Sequence, residues 1–436
     1  MSTHECVGCR EYQELSRRHF LQISGGAAAL AVTSHAWLPR VAYADWGLGG
    51  RDVIVHIFLR GGADGLTLCV PHGENAYYSA RPTLAVPRPD SGDPNSAIDL
   101  DGFFGLPPAM APLLDAYDAG HLLVVHACGL TGASRSHFDA QRFMEVGALN
   151  NNLLTTGWLG RHLLSSAPLT PGAVMRAVGI GYGLQRVLVG APQTLPIPNL
   201  DNFGITGNSG TLAERRAAID DMYASVGDPV RAAAQNTLLT IDLLNQINFA
   251  GYVPAGGAVY PDSAFGYSLK STAALIRAQV GVEAISIDLG GWDTHNNQGP
   301  TAGDMAGLMT QLASGLAAFH TDIFTDGRTN VTAVVMSEFG RRLAQNGSIG
   351  TDHGYANCMF LLGQAVTGGR VLTQWPGLNP GQLFEGRDLA MTIDYRDVLG
   401  EVVSERLGNP NLPEIFPGFT PTIRGVTRSV EALQKA

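Results

Sequence analysis

Charged residues make up only 15% of this 436-residue chain, against 45% hydrophobic. That scarcity excludes a disordered, charge-solvated polymer and leaves enough apolar sequence for a sizeable core. Long apolar runs are missing too. No segment reaches the roughly 18 uninterrupted apolar residues that a stable membrane span needs. Cysteine is scarce, with five in all. Cys6 and Cys9 form a CxxC near the N-terminus, leaving Cys69, Cys128 and Cys358 in the rest of the chain. An odd number excludes a fully paired disulfide framework there, and the apolar segments around each predict buried thiols. No glycine fingerprint for a dinucleotide follows the first strand pattern, and no cysteine set could hold an iron–sulfur cluster, which argues against a redox enzyme. There is no internal repeat and no low-complexity linker.

What is present begins with the N-terminus. Arg17-Arg18 is followed by Phe20-Leu21, then a weakly apolar stretch from Ile23 to Trp37, then Ala42-Tyr43-Ala44. The order twin arginine, apolar stretch and A-x-A site reads as a Tat export signal over residues 1–44. Gly25, Gly26 and His35 make the stretch a poor permanent span. Its removal takes away four basic and three acidic residues, leaving 24 against 35 and a net charge of −11. An acidic surface disfavours nucleic acid and anionic membranes as partners. The expected partners are the Tat translocase during export and a small-molecule or glycan ester substrate, in the periplasm or outside the cell.

The remainder, 45–436, reads as one α/β domain. Short apolar strands are predicted at 52–59, 122–127, 284–289, 331–336 and 358–362. Helices are predicted near 107–118 and at 137–147, 211–225, 228–249, 267–280, 302–320 and 395–407. Thr211 and Glu214 have capping-box spacing. A further strand is expected near 184–190, and segment 151–265 reads as a cap or insertion. Helices alternating with wholly apolar strands imply a mostly parallel central sheet flanked by helices on both faces.

In such a sheet, ligands bind beyond the carboxyl ends of the strands. Arg60-Gly-Gly-Ala-Asp64 follows the first strand, and Ser134-Arg135-Ser136-His137 the second. Asp293-Thr-His295 follows the third, and Ser337-Glu338-Phe-Gly-Arg341 the fourth. Asp352-His353 precedes the fifth. Carboxylates crowded at one edge repel unless a cation neutralises them, and Asp, Glu and His are ligands of catalytic divalent metals. Ser136 would stand at a helix N-terminus, where backbone N–H groups favour anions, although a serine there is also an ordinary cap.

The stretches FLRGGADGL (58–66), SRSHFDAQRFMEVG (134–147), GGWDTHNNQ (290–298), SEFGRR (337–342) and GTDHGYANCMFLLG (350–363) resemble a secreted bacterial family of unknown function, DUF1501. That family is grouped with the alkaline-phosphatase-like superfamily, which includes sulfatases. The resemblance implies an alkaline-phosphatase-like fold and a secreted hydrolase of phosphate or sulfate esters. It implies a divalent metal (Zn, Mn, Ca or Mg) held by Asp64, Asp293, His295, Glu338, Asp352 and His353. Ser136 would be the nucleophile, with Ser134 as its rival. Arg135 or Arg341 would hold the anion, and His137 would assist proton transfer. This chain departs from the superfamily pattern. Its Asp293–His295 pair is two apart rather than four, with Asn297 at the fourth position. Glu338 replaces an Asp and precedes Phe339 rather than His. The sulfatase Cys-x-Pro-x-Arg motif is missing, so a formylglycine enzyme is not expected. The alternative is a non-catalytic secreted binding or surface-assembly protein on a degenerate fold of this type.

Overall fold

A computed structural model describes residues 51–428, apart from 133, 150, 152 and 329; the expected export signal over 1–44, with its CxxC, lies outside the described residues. The apolar run Val53–Leu59 forms β1, in which every residue is buried. It lies mid-sheet because both of its edges are paired, with β7 (Ala284–Leu289) on one side and β8 (Val331–Ser337) on the other, both parallel. A strand buried on both faces needs no polar alternation, which is why these segments read as continuous apolar runs.

The nine-stranded sheet adds β4 (Leu122–Gly129), β5 (Ala177–Ile180), β6 (Thr194–Pro196), β9 (Asn357–Leu362), β10 (Arg370–Leu372) and β11 (Ile393–Asp394). The strand order is β10-β4-β9-β8-β1-β7-β5-β6, with β11 also pairing β4. β9 is antiparallel to β4 and to β8, whereas every other pairing is parallel. This reversal carries the residues that precede β9 to the same edge as the residues that follow the other strands. A separate small hairpin joins β2 (Ile98–Asp99) to β3 (Gly105–Leu106).

Helices of seven residues or more are α1 (His137–Val146), α2 (Trp158–Ser165), α3 (Leu212–Ala224), α4 (Val230–Leu244), α5 (Ala264–Arg277), α6 (Asp304–Phe324) and α7 (Tyr395–Glu401). Side-chain alternation along β1 splits the core in two. Val53, Val55, Ile57 and Leu59 face α5 and α6 through Leu269, Leu312, Leu316 and Phe319. Ile54 and Phe58 face Trp158, Leu159, Tyr395 and Val398. Cys69, Cys128 and Cys358 are free and buried, as expected. None of the helices among the described residues is long and apolar enough to cross a membrane.

Two expectations fail locally. Residues 184–190 form no strand. Arg186–Leu188 is a 3-10 turn whose Val187 and Leu188 pack into the core, and the strands of that region are β5 and β6 on either side, with β6 at the sheet edge. Segment 151–265, read as a cap or insertion, thus contributes two strands to the main sheet. Thr211 makes no side-chain cap bond, because a 3-10 turn over Ser209–Thr211, capped by Asn208, winds the chain before α3 begins. The helix expected at 395–407 is present, as α7 followed directly by a π-helical turn over Val402–Arg406.

Three core histidines make the fold acid-sensitive. Burial pushes the imidazole pKa down to about 3 at His56, about 4 at His126 and about 3 at His162, from 6.5. The unfolded chain therefore binds protons that the folded chain must release, and stability falls as pH drops below about 6.5. Asp52, pushed up to about 6 by burial, opposes this over part of the window. Three groups against one predict a denaturant midpoint that declines steadily from pH 6.5 to pH 4. A flat midpoint over that range, followed by tryptophan fluorescence, would show these imidazoles to be solvated.

Candidate metal centre

At the common edge, α1 lies across the strand ends and is fastened by one polar stripe. His137, Gln141 and Glu145 are spaced four apart, so they share a helix face. His137 Nδ1 lies 2.8 Å from Glu338 Oε1, and Gln141 Nε2 donates to the same oxygen at 2.8 Å. Glu145 accepts two bonds from Arg60, at 2.8 and 3.0 Å, and Arg60 Nε donates to Asp288 at 3.0 Å. Glu338 itself is 4% exposed. It also accepts from the Gly61 N–H at 2.9 Å and from Ser337 Oγ at 3.0 Å. Burial pushes its carboxyl up, but the bonds from His137 and Gln141 outweigh burial and hold it below the usual range.

Since Glu338 is ionised, His137 donates through Nδ1, so in the neutral imidazole Nε2 carries the lone pair. That nitrogen is buried with no hydrogen-bond partner, 3.4 Å from Asp293 Oδ2. His353 is arranged alike. Its Nδ1 donates to the Arg135 carbonyl oxygen at 2.9 Å, which turns a bare Nε2 toward Asp293 Oδ1 at 3.1 Å. His295 Nε2 lies 2.9 Å from His353 Nε2 and 3.0 Å from Asp293 Oδ1, while its Nδ1 is 3.5 Å from Asp352. The ligating atoms of His137, Asp293 and His353 all fall within 4.8 Å of one another.

Lone pairs aimed at one another repel unless a cation lies among them. Two imidazoles and a carboxylate, each imidazole oriented by a carboxylate or carbonyl on its other nitrogen, form the donor set of a metal site with an open position. The buried Nε2 of His137 has no hydrogen-bond partner to hold it there. The residues therefore fit a divalent cation.

Phe339 floors the site. Its ring lies 4.9 Å from that of His137 and 4.7 Å from that of His353. A Cβ on Gly62 would stand 2.4 Å from this ring, and one on Gly61 would stand 2.5 Å from the Asp293 nitrogen. Both residues also have positive φ. The Gly-Gly after β1 is thus required by close approach and by backbone conformation.

Burial raises the pKa of Asp293, but the hydrogen bond from Arg341 and the charge of Arg341 overcome burial and hold it at about 2. Burial lowers His353, while at His137 the bond to Glu338 raises the pKa. Asp293 is ionised at any ordinary pH, so acid would disturb the imidazoles of this site first.

The structure gathers His137, Asp293, His295 and His353 at one point. Glu338 and Asp352 stand behind them and orient imidazoles. Asp64 lies elsewhere, 1% exposed. Its carboxylate accepts two bonds from Arg81, at 2.5 and 3.0 Å, one from Thr67 at 2.8 Å and one from Gln298 at 2.7 Å. With its lone pairs engaged by four bonds it has no reach to the cluster. Arg341, expected as one of two anion holders, is 1% exposed. It donates to the carbonyls of Gly61, Gly62, Trp292 and Thr351 and to Asp293, so it braces the site from below. Arg135 is half-buried and pairs with Asp388 and Glu385.

Ser136 occupies the N-cap of α1 without a side-chain cap bond, and is exposed. Ser134 takes over local duties: its hydroxyl accepts from the Ser136 N–H at 3.1 Å and lies 3.4 Å from Asp139. Sequence reasoning missed Gln141, Arg81 and Asp388. The four-residue spacing from His137 was a readable signal for Gln141, whereas the other two are partners only through long-range contacts.

The model of the family described as a protein of unknown function, DUF1501, matches residues 256–407. No curated protein matches the chain. Among solved structures, a 2-O GAG sulfatase aligns at 7% identity over 88% of this chain and 74% of that one, with a TM-score of 0.31. A protein in the alkaline phosphatase superfamily from Vibrio parahaemolyticus aligns at 9% identity over 82% and 71%, also with a TM-score of 0.31. These likenesses are too distant to carry a function. The family match, over residues 256–407, spans β7, α6, β8 and β9, the elements that deliver Asp293, His295, Glu338 and His353.

Proposed function

We propose that the chain is an exported, metal-dependent hydrolase of phosphate or sulfate esters. The observation that carries this reading is the convergence of His137 Nε2, His353 Nε2 and the Asp293 carboxylate, with the other imidazole nitrogens occupied by Glu338 and the Arg135 carbonyl. A bound divalent cation would polarise the ester oxygen and ease deprotonation of a neighbouring hydroxyl. His137, Asp293 and His353 would hold that cation, with His295 beside them.

The chain's own groups supply the rest. The Ser136 hydroxyl is not used as a cap and stands next to His137, so it is the nucleophile of this reading. Its attack on phosphorus or sulfur would form a seryl ester and expel the alcohol, and water would then release the acid. The first N–H groups of α1 would favour the developing negative charge. Arg135 would contribute a guanidinium edge to the anion. The substrate is a small-molecule or glycan ester, and the Tat translocase is the partner in export.

One observation favours a second reading, a secreted binding or surface-assembly protein. Asp64, implied as a metal bridge, is committed to Arg81 in the core, so the site lacks that carboxylate. Elemental mass spectrometry of the purified protein, beside an Asp293→Ala/His295→Ala double variant, separates the two. Near-stoichiometric Zn, Mn, Ca or Mg that is lost in the variant, together with turnover in a screen of aryl phosphates and sulfates, is the expected result. A metal-free protein, even after incubation with each ion, would leave the binding reading in place.

A further inference from the structure

We infer that Asp388 is a positioning residue for the metal centre, acting through Arg135 on His353. This rests on the metal-site reading above. Asp388 is fully buried, and one of its oxygens, Oδ2, takes both Nε (3.2 Å) and Nη2 of Arg135. Its backbone is pinned on two sides, by hydrogen bonds with Phe384 and by a bridge to Arg342. Arg342 belongs to the same strand-end segment as Arg341. Asp388 is thus a fixed point relative to the floor of the site.

Arg135 lies in the connection from β4 to α1, which also carries Ser134 and Ser136. Its side chain reaches back to Asp388 and Glu385, while its carbonyl oxygen accepts the Nδ1–H of His353 at 2.9 Å. One residue therefore links a buried carboxylate to a ligand. The carbonyl is where it is because the guanidinium is held. With that carbonyl in place, His353 keeps its proton on Nδ1 and its lone pair on Nε2. If the carbonyl moves, the imidazole can take the other tautomer, with a proton where the ligand atom should be. Asp388 Oδ1 is buried without a hydrogen-bond partner, and Arg387 Nε stands off Oδ2 at 3.9 Å, so Arg135 is the side chain that hydrogen-bonds this carboxylate among the described residues. Glu385 also touches Arg135, but its side chain is 47% exposed, and such a pair fixes little.

The test compares wild type with Asp388→Asn, Arg135→Lys and Glu385→Gln. Zinc affinity is measured by competition with a chromophoric chelator, and long-range ¹H–¹⁵N spectra of the metal-free proteins report the His353 tautomer. Asp388→Asn keeps the shape and removes the charge. It should weaken zinc about 10- to 100-fold, the usual cost of losing an outer partner, and convert His353 from one tautomer to a mixture. Arg135→Lys leaves Asp388 with a charge partner and should show the same tautomer change if Asp388→Asn does not fold. Glu385→Gln should match wild type within about twofold, as expected for an exposed pair. Wild-type zinc affinity and an unchanged His353 tautomer in folded Asp388→Asn would overturn the inference. If wild type binds no zinc, the metal-site reading fails separately. The tautomer then decides alone: a shift in the variant sustains the link from Asp388 to His353, and no shift ends it.

Discussion

His137→Ala is expected to cut bound metal and ester turnover by about 100-fold or more, since even outer partners of a metal ligand cost about 10–100-fold. Folding stability should change far less. His137 Nε2 is buried without a hydrogen-bond partner, so removing it relieves an unsatisfied group rather than creating one. Glu338 keeps its bonds from Gln141, the Gly61 N–H and Ser337, so its buried charge is still compensated. Gln141→Ala provides the graded comparison. It leaves the ligand in place and removes one bond that sets Glu338, so its metal loss should be smaller than that of His137→Ala. Isothermal titration with zinc, alongside urea unfolding, separates the two quantities. A His137→Ala protein with full metal content would remove His137 from the ligand set and return it to the proton-transfer role implied by the sequence resemblance.

Asp64→Ala is expected to do the reverse, lowering stability by about 3–5 kcal/mol, the cost of stranding a buried charge, without changing metal content per folded molecule. Arg81 is 0% exposed and would lose its only carboxylate partner among the described residues. Burial raises the Asp64 pKa, but the charge and hydrogen bonds of Arg81 exceed that effect and hold the carboxyl below its ordinary value. The pair is therefore ionic in the native state. Replacing both residues, as Asp64→Leu with Arg81→Met, should cost less than Asp64→Ala alone, because no charge is left behind. Urea midpoints and metal analysis on the same samples measure both effects. Metal lost from Asp64→Ala at unchanged stability would return Asp64 to the ligand set. The result matters for function because Asp64 and Asp293 both end strand-edge motifs, yet their effects are expected to fall on different observables.

Much of the architecture was legible before any coordinates. Runs such as VIVHIFL and VTAVVM are too short and too uniformly apolar for anything but strands covered on both faces, and the helices between them forced parallel pairing. The site edge was legible for the same reason. In a parallel sheet, the residues following the strands must gather at one end, and that brought Asp293, His295 and Glu338 under suspicion together. His353 needed one more fact. It precedes its strand, and it joins the others because β9 runs antiparallel.

Sequence alone therefore determined the fold class, the buried thiols and the edge at which chemistry would gather, because hydrophobic periodicity and strand polarity are local properties of the chain. Tertiary structure decided which of the gathered residues face one another. It drew Asp64 into the core, because Arg81, 17 residues later, reaches it from the next turn of the chain. It brought His137 into the cluster, because Glu338, 201 residues away, takes its other nitrogen. It buried Arg341 beneath the site and tied Arg135 to Asp388. Each of these choices is a hydrogen-bond partnership between distant segments, fixed by the need to satisfy buried polar groups. No spacing within one motif encodes such a partnership.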